Sequence, residues 1–104
     1  MLIGVVGGLD RDAPRLMSIA RAAGHDVEVH TGTLSTTRVE GLRSLVARAD
    51  LVLVLTDINS HGAVQLARRL ARAHHRPLHL MRRFGTSQFA AFLREAPERL
   101  RDAA

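Results

Sequence analysis

The segment Leu51-Val52-Leu53-Val54-Leu55 is apolar at every position. A strand with no polar face must be covered on both sides, which places it inside a parallel sheet with helices above and below. Around it the chain repeats one unit four times, a short apolar run followed by a helical apolar stripe. Leu2-Ile3-Gly4-Val5-Val6 is the first run and ends at Gly7-Gly8. Asp10 or Asp12 is expected to cap the next helix, with Pro14 in its first turn and Gly24 just past its end. Val27-Glu28-Val29-His30 alternates, as suits an edge strand, and Ser35, Thr36 or Thr37 caps a helix with Val39, Leu42, Leu45, Val46 and Ala49 inside. After the central strand, Thr56-Asp57-Ile58-Asn59-Ser60 leads into a helix whose inner side carries Ala63, Val64, Leu66, Ala67, Leu70 and Ala71. Pro77-Leu78-His79-Leu80-Met81 is the fourth strand; a last helix follows Gly85-Thr86-Ser87, broken at Pro97, and the tail from Arg99 to Ala104 frays.

Strands alternating with helices of this length require parallel pairing through right-handed crossovers. With the third strand the most buried, the expected order is 2-1-3-4, a shortened Rossmann-like or flavodoxin-like sheet in one three-layer α/β domain over residues 1–104. A chain of 104 residues can bury enough apolar surface to fold without staples, and it has no cysteine. Disulfides, thiolate nucleophiles and cysteine-held metal or iron–sulfur sites are therefore excluded. The apolar opening reads as a first strand and not as a signal peptide, and no run approaches the ~20 residues of a membrane span. A cytoplasmic, membrane-free protein is expected.

All 15 cations are arginine, set against 10 carboxylates. They are spread along the helices as solvated faces usually are, and with no Tyr or Trp a base-stacking platform has no material. Nucleic acid is not the expected partner.

Ligands of open parallel sheets bind beyond the carboxyl ends of the strands. On that rim the sequence places Gly7-Gly8, His30-Thr31-Gly32, Thr56 to His61, and Arg82-Arg83 with Gly85-Thr86-Ser87. The opposite rim receives Gly24-His25-Asp26, Arg48-Ala49-Asp50 and His74-His75-Arg76, and its histidines His25, His74 and His75 read as structural. The Gly7-Gly8 pair lacks the full G-x-G-x-x-G fingerprint, and a chain without lysine has no P-loop. Asp57 and Ser60 serve either as helix caps or as site residues. His61, in the first turn of a helix, is disfavoured as imidazolium and available as an acceptor or ligand. With His30 it forms the candidate metal pair, although no H-x-H or H-x-x-x-H spacing is present. His79, in mid-strand, reads as an edge residue suited to a dimer contact. Arg82 and Arg83 near Ser87 suit an anion. No nucleophile elbow, paired glutamates or cysteine–histidine pair is written in the chain, so binding is expected in preference to catalysis.

Ala49-Asp-Leu-Val-Leu-Val-Leu-Thr-Asp-Ile-Asn-Ser-His-Gly-Ala63 resembles the bacterial domain-of-unknown-function family 2325, supported by the opening Leu-Ile-Gly-Val-Val-Gly-Gly, by Val-Glu-Val-His-Thr-Gly, and by Pro-Leu-His-Leu-Met-Arg-Arg-Phe-Gly-Thr-Ser. The resemblance covers nearly the whole chain. It implies an α/β fold, usually dimeric, and a histidine-containing site for a small molecule such as dioxygen. Carried onto this chain, the site is His30 and His61 with Thr56, Asp57, Ser60 and Arg82 as neighbours. Bare imidazoles are poor partners for dioxygen, so oxygen binding would bring a transition metal with it. The expected function is small-ligand binding by a homodimer, with an anion- or nucleotide-binding module built on Gly7-Gly8 and Arg82-Arg83 as the alternative.

Overall fold

The computed structural model describes residues 1–94 apart from Leu9, Thr33, Leu34, Ile58, Arg83, Phe84 and Thr86. Pro97 and residues 99–104, expected to break the last helix and to fray, lie outside the described residues. The strands are β1 (Leu2–Val6), β2 (Asp26–His30), β3 (Leu51–Leu55) and β4 (Leu78–Met81). The helices are α1 (Ala13–Ala22), entered through a 3-10 turn at Asp10–Asp12, α2 (Thr36–Arg48), α3 (His61–Ala73) and α4 over 87–94. All strand pairs are parallel and the order is β2-β1-β3-β4.

Strand periodicity divides the core. Ile3 and Val5 of β1 and Leu51, Leu53 and Leu55 of β3 face α1 and α4, where Leu16, Ala20, Phe89 and Leu93 meet them. Val6, Val52 and Val54 face the other way, against Leu42, Val46 and Ala49 from the α2 side and Ala63, Ala67, Leu70 and Ala71 of α3. All five residues of β3 are buried, as a strand without a polar face requires. The result is three layers of flavodoxin type. No helix among the described residues is long and apolar enough to cross a membrane.

The caps differ in quality. Ser35 accepts the Arg38 N–H and Ser60 the Ala63 N–H, each from extended backbone at the N-cap. Asp12 occupies the N-cap position of α1 but its side chain accepts nothing there, a correction to the expected capping. The 3-10 turn already holds Asp12 in helical backbone (φ −88°, ψ −15°), so its carboxylate is not set back where it could reach the first-turn N–H groups. Gly24 follows α1 at φ +83°, as expected of a C′ residue.

The two edges of the sheet are finished differently. Along β2, Glu28 takes a two-pronged hydrogen bond from Arg48 of α2 at 2.7 and 2.8 Å. That bond holds the Glu28 carboxyl below its usual range and raises the Arg48 guanidinium. β4 has only four residues, and Leu80 stands 41% exposed. On its other face, half-buried His79 packs its ring on Phe92 with centroids 5.3 Å apart.

Candidate functional site

The strand order reverses direction between β1 and β3, so the crevice of the fold opens where Val6 and Leu55 end. Asn59 closes its floor. Its Nδ2 donates to the carbonyls of Leu55 (2.8 Å) and Val6 (3.2 Å), while its Oδ1 accepts the Ser60 N–H at 2.9 Å. One amide thus ties the ends of the two central strands to the start of α3. Asn59 lies within the rim stretch Thr56 to His61 that the sequence points to but is not singled out there as a site residue. Its signal in the sequence is an amide in the turn directly after the central strand.

Ser60 extends this frame to the third strand end. Its Oγ accepts from Ala63 N–H at 3.1 Å as the cap of α3 and donates to the Gly32 carbonyl at 2.7 Å. Gly32 is buried at φ +90°, and a Cβ built on it would collide with the Asn59 amide oxygen. Both the backbone region and the close approach therefore demand glycine. The Gly32 N–H in turn donates to His30 Nδ1 at 3.0 Å.

His30 is only 7% exposed, and its other nitrogen lies 2.8 Å from the Arg38 carbonyl. A carbonyl only accepts, so Nε2 carries the proton and Nδ1 does not. Both ring nitrogens are committed to backbone in a neutral imidazole. To bind a metal or a ligand, His30 would have to give up one of these buried bonds. It works here as a positioning residue, holding the turn after β2 to the start of α2.

The remaining predicted residues sit around this frame. Thr56 is exposed and donates to the Met81 carbonyl through its N–H (2.8 Å) and its hydroxyl (3.3 Å). The Asp57 N–H donates to the Arg82 carbonyl at 3.0 Å, and the Asp57 carboxylate lies 3.7 Å from the Arg82 guanidinium, a loose pair on a side chain 89% exposed. Gly7 and Gly8 turn the chain at φ +107° and +85°, but the Gly7 N–H already donates to the His30 carbonyl at 2.6 Å. Arg83 lies outside the described residues. His61 is the first residue of α3, exposed, directly after the Ser60 that grips Gly32. The structure therefore brings His30, Gly32, Asn59 and Ser60 into one hydrogen-bonded unit and sets His61 beside it with its imidazole toward solvent.

The donors do not suit a metal held by one chain. Among the described residues no three His, Asp or Glu are grouped to hold one, and His30 has no free lone pair.

No curated protein and no solved structure matches the chain. Over residues 2–96 it does match the family described as "Uncharacterized protein conserved in bacteria (DUF2325)", and the chain belongs to that family.

Proposed function

We propose that this protein binds a small polar ligand at the carboxyl rim of its sheet, with His61 as the imidazole that meets it. The observation that supports this is the hydrogen-bonded frame of His30, Gly32, Asn59 and Ser60, which fixes three strand ends and the start of α3 before any ligand arrives. A preformed frame lowers the ordering cost of binding. His61 projects from its edge, at the positive end of a thirteen-residue helix. That setting favours a ligand that accepts hydrogen bonds. Dioxygen fits this reading poorly, because among the described residues this rim offers one imidazole besides the committed His30 and no grouped metal donor set. The alternative anion cradle at Gly7-Gly8 has less support, since the Gly7 N–H is already donated to His30.

The test is a thermal-shift panel on untagged wild type and His61→Ala, with phosphates, nucleotides, small carboxylates and divalent metals as probes, combined with elemental analysis of the protein as purified. A ligand that binds only the folded wild type raises its melting point, and the variant loses that rise. Responses that are flat, or equal in both proteins, sink the reading.

We further propose a homodimer that covers the β4 edge. Leu80 is exposed there beside half-buried Leu78, on a short strand that ends the sheet among the described residues. Sedimentation should show a dimer in wild type and a monomer in Leu80→Arg. A wild-type monomer at all concentrations removes the idea.

A further inference from the structure

The molecule's arginines are not equivalent. Arg48 is held by Glu28, Arg43 lies near Glu40 and Arg82 near Asp57. α3 carries Arg68, Arg69 and Arg72 and no acidic residue at all. Arg68 and Arg72 lie four positions apart, one turn from each other on the same stripe, where like charges repel. Neither has an ion-pair partner among the described residues.

These two side chains, with Ala71, Arg76 and Leu78, line a cavity of about 210 Å³ between α3 and β4, at the amino end of the sheet. Arg76 is anchored there: its Nη2 donates to the Ala47 carbonyl at 2.8 Å, near the end of α2. Its Nε is buried and meets no acceptor among the described residues. One guanidinium is thus fixed in place by the Ala47 carbonyl, and two more line the same pocket with no counter-charge among the described residues. The floor, Ala71 and Leu78, is apolar and contributes no competing acceptor from its side chains.

We propose that this cavity is an oxyanion site, built to take a phosphate group through Arg68, Arg72 and Arg76. Guanidinium forks match the oxygens of phosphate in both charge and geometry. The end of α3 works against an anion, but its partial charge is roughly half an electron and faces three full positive charges. A volume of about 210 Å³ is ample for a phosphate group, and the pocket is open to solvent, so whatever carries the phosphate can extend outward. Aromatic side chains, which stacking on bases would need, are missing from its lining. The site lies at the opposite end of the sheet from His61 and does not depend on the function proposed for that rim.

The experiment follows the arginine Nε–H resonances of ¹⁵N-labelled full-length protein during titration with inorganic phosphate, with a simple phosphate monoester, and with chloride at matched ionic strength. The Arg76 Nε–H signal should move saturably with phosphate or the monoester and not with chloride. Whichever of the two binds more tightly identifies the source of the group. Arg68→Gln/Arg72→Gln should weaken binding by about tenfold or more, as loss of charge-assisted hydrogen bonds does. Arg69→Gln, on the same helix but outside the cavity, should leave it unchanged. No saturable shift up to about 10 mM phosphate, a limit corresponding to negligible affinity, overturns the proposal. So does an equal loss in Arg69→Gln. A short DNA duplex binding more tightly than phosphate, with Arg69→Gln as damaging as the cavity variant, would replace the site with a nucleic-acid surface.

Discussion

Two clusters of polar side chains, one at each end of the sheet, are used in opposite ways. At the carboxyl end, His30, Asn59 and Ser60 direct their donors and acceptors to backbone atoms of other segments. At the amino end, Arg68 and Arg72 have no ion-pair partner among the described residues, and Arg76 has one guanidinium hydrogen bond and a buried Nε without an acceptor among them. The chemical type of a residue therefore says little about whether it works for the fold or for a partner. What separates the two uses is whether its polar atoms are already committed. Removing a committed side chain should destabilise the protein, and removing an uncommitted one should not.

The largest expected effect breaks apart the two histidines that the sequence presents as a pair. His30→Ala strands the Gly32 N–H and the Arg38 carbonyl and leaves a hole where a buried ring stood. About 2–4 kcal/mol of stability should go with it. His61→Ala, at an exposed helix start, should stay within about 0.5 kcal/mol. Asn59→Ala, which unties the ends of β1 and β3, falls between them at about 1–2 kcal/mol. Urea unfolding of the three variants checks the ranking. Equal losses for His30→Ala and His61→Ala would show that the division between frame and exposed imidazole is misplaced.

The amino end should respond with the opposite sign. Arg68→Gln removes a like-charge neighbour of Arg72 and no hydrogen bond, so at low salt the variant should gain about 0.2–0.5 kcal/mol. Added phosphate should reverse the order, stabilising wild type more than the variant. A loss of stability in phosphate-free buffer would mean that Arg68 has a structural duty.

How much of this was legible in the sequence depends on how far apart the interacting parts lie along the chain. β3 announced itself because five apolar residues in a row have one solution in an α/β fold, and the edge position of β2 followed from its alternation. The fate of His30 was not legible. Its partners are a glycine two residues on and a carbonyl eight residues on, across a turn whose path no periodicity encodes. Placing it on the correct rim was sound, whereas its hydrogen-bonded state depends on that turn. The arginine cavity was half visible. Arg68, Arg72 and Arg76 recur at intervals of four, but the last lies beyond the helix, and the space between them exists only because β4 passes beneath α3. Read as a solvated face, the same arginines gave no hint of a concave surface.

Arg48 supplies the control for that contrast, as an arginine with its carboxylate in place. Glu28 is held below its ordinary value of 4.5, chiefly by the hydrogen bond from Arg48. A carboxyl whose folded pKa lies under its unfolded one stabilises the fold above the unfolded value, and that contribution disappears as pH falls through the folded value. Wild type should therefore melt slightly higher than Glu28→Gln at neutral pH, and the two curves should converge as the pH drops below about 4.5. The difference will be small, because both side chains are nearly half exposed and water and salt screen the pair. Phosphate should leave it untouched, since Arg48 already has its acceptors and lies outside the cavity. A phosphate-dependent shift in the Glu28→Gln melting curve beyond that of wild type would mean that Arg48, once freed, joins the anion site. The boundary between paired and unpaired arginines at this end of the sheet would then be set by Glu28 alone.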